Sequence, residues 1–170
     1  MSADPVLERL CSACDAAGAA CCKSGSVFLT LAEHDAIAQH CAVDPDPALA
    51  EAFHQHASLH GSFAMLDQGV GCMFLDSRDR CTLHERGLKP RECHWWPLHV
   101  YLESDEGAPR MAACLADYCC AGVGSAEDAQ KMAARYADEM RAALPALRRF
   151  RAVFPGSAPR RHVMWIDDEG

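Results

Sequence analysis

The sequence predicts an α+β fold, mainly helical, with short β-hairpins and irregular cysteine-bearing loops. Three observations carry that prediction. Helix-start signals recur at Thr30–Glu33, Asp46–Pro47 and Ser125–Asp128. Short apolar runs bounded by turn residues mark strands at Val27–Leu29, Gly71–Leu75 and Pro97–Leu102. Eleven cysteines in 170 residues, all but Cys41 in clusters, interrupt these elements with stretches poor in large apolar side chains.

In chain order, Val6-Leu7-Glu8-Arg9-Leu10 reads as one helical turn inside an otherwise Ala- and Gly-rich segment, residues 1 to 26. Val27-Phe28-Leu29 is a short strand. Thr30-Leu31-Ala32-Glu33 matches a capping box, in which Thr30 caps and Glu33 reaches back. The helix it opens should run from Leu31 to Cys41, with Ile37 and Cys41 on one face. Asp44-Pro45-Asp46-Pro47 is a turn that pre-sets a second helix, Ala48 to His60, closed by Gly61. Residues 62 to 80 read as irregular, with a strand from Gly71 to Leu75 and a polar turn at Ser77-Arg78-Asp79. Pro97 to Leu102 alternates as a strand, turns at Ser104-Asp105-Glu106-Gly107 and returns as Arg110 to Leu115. Ser125 caps a long helix whose stripe, Ala129, Met132, Ala133, Tyr136, Met140 and Ala143, is core packing. Pro145 should break or restart it. The expected organisation is a single small domain organised around cysteine metal sites. Residues 1–124 form the cysteine-cluster region, 125–154 a helix packed on it, and 155–170 a loose tail.

The net charge of −8 argues against a nucleic-acid surface, which wants a basic stripe. Arg148, Arg149, Arg151, Arg160 and Arg161 form a local basic patch, read as a solvated face. No run approaches the ~18 apolar residues of a membrane span, and Met1-Ser2-Ala3-Asp4-Pro5 has no signal-peptide character. A cytoplasmic protein without membrane or nucleic-acid partners is expected, its protein partners unassigned. In a reducing compartment clustered thiols are metal ligands or redox groups rather than disulfides.

Cys11-Ser12-Ala13-Cys14 is a C-x2-C knuckle, followed by Cys21-Cys22, then Cys72, Cys81 and Cys93, then Cys114, Cys119 and Cys120. Thiolate is the soft ligand that zinc, copper(I) and iron–sulfur clusters select. Four sulfurs saturate a tetrahedral zinc or a cubane cluster, so the supply exceeds one site. A structural zinc contributes on the order of 10 kcal/mol or more to folding, against about 2–4 kcal/mol for a disulfide. Cys41 reads as core. His56 and His60 share a helical spacing without the acidic partner of a hydrolase motif, and His54 joins them as a polar-face histidine. His84 and His94 flank ligand candidates and suit a supporting or replacement role. Trp95 and Trp96 should straddle a strand and keep the sulfurs dry.

The ordered set Cys11-x2-Cys14, Cys21-Cys22, Gly71-Cys72-Met73-Phe74-Leu75, Cys81-Thr82-Leu83-His84-Glu85 and Lys89-Pro90-Arg91-Glu92-Cys93-His94-Trp95-Trp96-Pro97 resembles the bacterial CxxCxxCC cysteine-cluster family. Cys120-Ala121-Gly122-Val123-Gly124 is similar to the family's later C-P-G-x-G. The resemblance covers residues 11 to 124. It departs in the longer gap before Cys21, in Lys89 for arginine, in His84 for an aromatic and in the missing proline after Cys120. Such proteins are described as zinc- or iron-chelating domains, with flagellin lysine N-methylases as relatives. The resemblance implies Cys11, Cys14, Cys21, Cys22, Cys72, Cys81, Cys93 and Cys120 as ligands, with Cys114 and Cys119 standing between ligand and buried thiol. The implied cofactor is zinc or iron, with a 4Fe–4S cluster among the iron forms. A metal-dependent protein-modifying enzyme related to the methylases, or a metal store or chaperone, are the alternatives to plain metal binding.

Overall fold

The computed structural model describes residues 22, 25–69, 71–104, 109–116, 125–156 and 160–167. The turn expected at Val6–Leu10 lies outside them. The class is α+β, with helix outweighing strand at about 47% against 24%. The chain divides into two compact units, Met1–His94 and Trp95–Gly170, where the sequence suggested one domain with a boundary at 124. The physical reason is that each unit has its own three-stranded antiparallel sheet and its own apolar core.

The first unit contains β1 (Ser26–Leu29), α1 (Leu31–Ala42), α2 (Pro47–His56), β2 (Ala57–Leu59), β3 (Ala64–Asp67) and α3 (Thr82–Glu85), and α4 (Arg91–Trp95) begins in it. β3 is the central strand, pairing Val27 with Leu66 on one side and Ala57 with Leu66 on the other. Val27, Leu29, Ala64 and Leu66 form one core with Ile37 and Cys41 of α1, Phe53 of α2, Phe74 and Leu83. The capping box holds as expected: the Glu33 backbone N–H donates to Thr30 Oγ1 at 3.2 Å, and Glu33 Oε2 accepts from Thr30 N at 2.8 Å.

Two elements differ from expectation. α2 starts at Pro47, capped by Asp46, but stops at His56 rather than His60. Ala57 to Leu59 pair with β3 instead, so a hydrogen-bonded partner overrides the helix-permissive residues. His56 and His60 therefore do not share a helix face; His60 stacks on Phe63 at 5.1 Å. The strand placed at Gly71–Leu75 is instead Ala64–Asp67, whose residues alternate between the core and solvent. Within 71–75, Leu75 alone makes a bridge, to Cys81.

The second unit has β4 (Leu98–Glu103), β5 (Arg110–Ala116), α5 (Ala126–Val153) and β6 (Arg160–Trp165). The expected hairpin is present, with Leu98 opposite Leu115 and Glu103 opposite Arg110. α5 packs against this sheet and buries Met132, Ala133, Tyr136, Met140, Ala143, Leu147 and Phe150. Pro145 does not interrupt it. The apolar stripe keeps its phase from Ala143 to Leu147, and Pro145 is exposed, so its missing N–H falls on the hydrated side.

The segment read as a loose tail carries β6, paired with β5 and followed by buried Ile166. The basic patch explains why it is held. Arg151 is 6% exposed and donates from Nε to Val100 O at 2.7 Å. Arg160 pairs with Glu103 at 2.9 Å, and Arg148 with Asp167 at 3.0 Å. The Arg151 and Arg160 guanidinium groups lie 4.4 Å and 4.3 Å from the Tyr101 ring centre. Arg151 and Arg160 are thus internal partners, whereas Arg148, Arg149 and Arg161 keep the exposure of a solvated face. Trp95, fully buried, donates to Glu139 at 3.2 Å, and Trp96 meets His99 edge-on; neither stands on a strand.

Gly156 closes against this face. Its φ is +66°, and a Cβ there would sit 2.7 Å from Tyr101 Cε1. Gly61 has a similar φ of +71° with open space around it. Gly61→Ala should then cost about 1–2 kcal/mol, the left-handed penalty alone. Gly156→Ala should add roughly 1–3 kcal/mol of overpacking to that. Urea unfolding of both variants checks this, and equal losses would contradict the packing role.

Candidate metal centre

Cys72, Cys81 and Cys93 come from three separate segments and pack against the edge of the first unit's core. Cys22 joins them: Cys72 N–H donates to Cys22 O at 2.6 Å. Cys41, Cys72, Cys81, Cys93 and Cys114 all carry unbridged thiols.

Each position has a local cause. Cys72 and Cys81 flank a tight loop. Asp76 holds that loop, accepting from the N–H groups of Arg78 at 2.8 Å and Arg80 at 2.9 Å and from the Arg80 guanidinium. Thr82 closes it by donating through both N–H and Oγ1 to Phe74 O, at 2.8 and 3.0 Å. Phe74 and Leu83, two residues beyond each cysteine, are anchored in the core. Cys81 occupies the N-cap of α3, where the His84 and Leu83 N–H groups favour its thiolate without reaching capping-bond geometry. Cys93 rides on α4. Arg91 N–H donates to Glu33 Oε1 at 2.8 Å, and the buried Glu92 carboxylate accepts from Phe28 N–H on β1.

The electrostatics are those of half-buried thiols. Burial is the main effect throughout. It pushes the Cys72 thiol up to about 11, with Cys22 and Cys81 adding to the rise. Cys81 is raised by burial and further by Cys22. Cys93 is raised well above the ordinary thiol range by burial, with Cys22, Glu92 and Cys81 contributing. The Lys89 ammonium acts the other way on both Cys81 and Cys93. Burial, with Cys22 and Cys81 adding to it, opposes ionisation of these thiols, and a cation placed among them would favour the thiolates. The donor set is all sulfur, which suits zinc or iron. Among the described residues, no group of three or more His, Cys, Asp or Glu side chains is placed to hold a metal ion. The four sulfurs are electrostatic neighbours rather than a closed coordination shell.

The other candidates divide as follows. Cys11, Cys14, Cys21, Cys119 and Cys120 lie outside the described residues. Cys114 belongs to the second unit, fully buried among Tyr101, Ala112 and Trp165, with its thiol facing Ala112 O at 3.7 Å. Burial and then Glu103 push that thiol up to about 12. Cys41 is core, 2% exposed beside Ile37. His84 and His94 lie with ring centres 6.4 Å apart, each on the short helix of a candidate cysteine. Sequence reasoning treated Glu33 only as a cap and gave no role to Asp76, Lys89 or Glu92. The string Arg91-Glu92-Cys93 held the one usable signal, an acid beside a candidate ligand.

The raised thiols set a pH dependence for the metal-free protein. Their unfolded value is near 9.0, so the stability they confer is complete below that and is lost as pH rises through the folded value, about 11 for Cys72. At about 1.4 kcal/mol per unit, Cys72 alone accounts for roughly 2–3 kcal/mol. Metal-free protein should therefore lose melting temperature from pH 9 to 11, and Cys72→Ser should flatten the slope. A melting temperature constant across that range would contradict the burial of these thiols.

No curated protein and no solved structure matches the chain. A family model, CxxCxxCC, described as "Putative zinc- or iron-chelating domain", matches residues 10–120. That span takes in every cysteine of the chain, the Asp76 loop and the Glu33 and Glu92 contacts. With well over half of its length matched, the chain belongs to the CxxCxxCC family.

Proposed function

We propose that this protein binds zinc or iron through thiolates, with Cys22, Cys72, Cys81 and Cys93 as the described part of the ligand set. Cys11, Cys14 and Cys21 complete it from the N-terminal knuckle, and Cys120 or Cys119 supplies a late ligand at the end of the family span. The single observation that supports this reading is the packing of Cys72, Cys81 and Cys93 against the first unit's core, with Cys72 N–H donating to Cys22 O at 2.6 Å. Apolar surroundings alone would bury cysteines singly, as they do Cys41. Cys114 serves as a packing thiol, buried beside Tyr101, Ala112 and Trp165 with Glu103 and Arg160 as its charged neighbours.

The chain's residues prepare the candidate site in three ways. The Asp76 loop fixes Cys72 and Cys81 as a pair. Backbone N–H groups at the start of α3 favour a Cys81 thiolate. Lys89 offsets part of the negative charge that accumulates when several thiols lose protons. A bound ion supplies a cross-link between distant segments and, as iron or a 4Fe–4S cluster, a redox centre. Among the described residues no helix is long and apolar enough to cross a membrane, and the proposed working location is the cytoplasm, where free thiols persist.

Metal uptake must displace thiol protons, so affinity should fall steeply as pH drops from 8 to 6, with proton release measurable by calorimetry in two buffers. Cys72→Ala or Cys93→Ala should lose bound metal and most of the first unit's order. Cys41→Ala should keep full metal content and cost roughly 1–3 kcal/mol of stability. Elemental analysis and circular dichroism of the three variants test the assignment. Equal metal loss in all three would overturn it.

A further inference from the structure

Cys93 depends on residues that are not themselves ligands. It sits at the third position of α4, a five-residue helix too short to hold itself in place. Two carboxylates from either side tie that helix down. Glu33, at the third residue of α1, uses Oε2 to close its own capping box at Thr30. Its other oxygen, Oε1, accepts from Arg91 N–H, the first helical donor of α4, 58 residues away in sequence. Glu92, 4% exposed, reaches in the opposite sense and accepts from the Phe28 N–H of edge strand β1. Helix cap, edge strand and the Cys93 backbone are thereby one hydrogen-bonded unit.

We infer that Glu33 and Glu92 are positioning residues for the thiol site, fixing the Cys93 sulfur relative to Cys22, Cys72 and Cys81. This rests on the metal-binding reading above. Glu33 matters most, because one carboxylate serves both the cap and the strap. Its removal frees Arg91 N–H and the start of α4 together. Partners that orient ligands typically carry a 10–100-fold share of metal affinity.

The test is a cobalt(II) titration of the reduced, metal-free full chain, reading affinity, stoichiometry and the sulfur-to-cobalt charge-transfer band. Glu33→Ala and Glu33→Gln should bind at unchanged stoichiometry with roughly 10–100-fold weaker affinity and a shifted band. Thr30→Ala loses the Oγ1 cap but keeps the strap, and should stay within about twofold of wild type. Arg91→Pro removes the strap N–H while leaving Glu33 in place, and proline suits a first helical position. It should reproduce the Glu33 loss even if the Glu33 variants fold incompletely. Arg91→Ala, which removes only the half-exposed ion pair at 3.5 Å, should not. Wild-type affinity and spectrum in both Glu33→Ala and Arg91→Pro would overturn the inference. So would a Thr30→Ala loss as large as that of Glu33→Ala, which would mean helix stability and not positioning. A wild-type chain that takes up no cobalt would overturn the metal reading itself, a distinguishable result.

Discussion

The half-buried cysteines Cys72, Cys81 and Cys93, packed against the first unit's core, are the constraint its surroundings must accommodate. Thiols buried together resist ionisation, because each negative charge loses its hydration and faces its neighbours. Left protonated, they are small apolar groups with little power to hold Ala- and Gly-rich chain. Given a cation, the same arrangement becomes the strongest cross-link available to a small domain, worth on the order of 10 kcal/mol. The core around Phe53, Phe74 and Leu83 is modest. A cross-link of that size would rival everything else the unit has.

The surrounding structure ties down the segments that carry these cysteines. The Asp76 loop converts an eight-residue separation between Phe74 and Thr82 into a closed hairpin-like turn. Glu33 and Glu92 fasten the Cys93 helix to α1 and β1. Charge is managed as well: Lys89 and the amides at the start of α3 favour thiolate where burial opposes it. The second unit follows different rules. There the polar investment goes into arginines, with Tyr101 held between Arg151 and Arg160, and its one described cysteine packs as an apolar side chain.

Much of this was legible in residue order. The capping box, the proline-initiated α2, the β4–β5 hairpin and the α5 stripe all follow local rules, and those elements formed where local rules placed them. The misreadings arise where strand pairing or core packing overrides local preference. Ala57 to Leu59 left a helix because β3 offered hydrogen bonds. Residues 160 to 165 became a strand because β5 had an open edge and Tyr101 an open ring face. Pro145 failed to break α5 because Ala143, Leu147 and Phe150 kept one phase across it. At the candidate site, cysteine spacing suggested a ligand chemistry, while the straps at Glu33 and Glu92 were hidden. A glutamate that caps a helix looks the same in sequence whether or not its second oxygen reaches a residue far along the chain.

The central claim is that thiols distant in sequence gather around a bound ion. Purification without oxygen, followed by a count of zinc, iron and acid-labile sulfide per folded chain, tests it most directly. The account predicts near-integral zinc or iron, with sulfide present only if the iron is clustered. A well-folded chain carrying neither metal at stoichiometric level would contradict it.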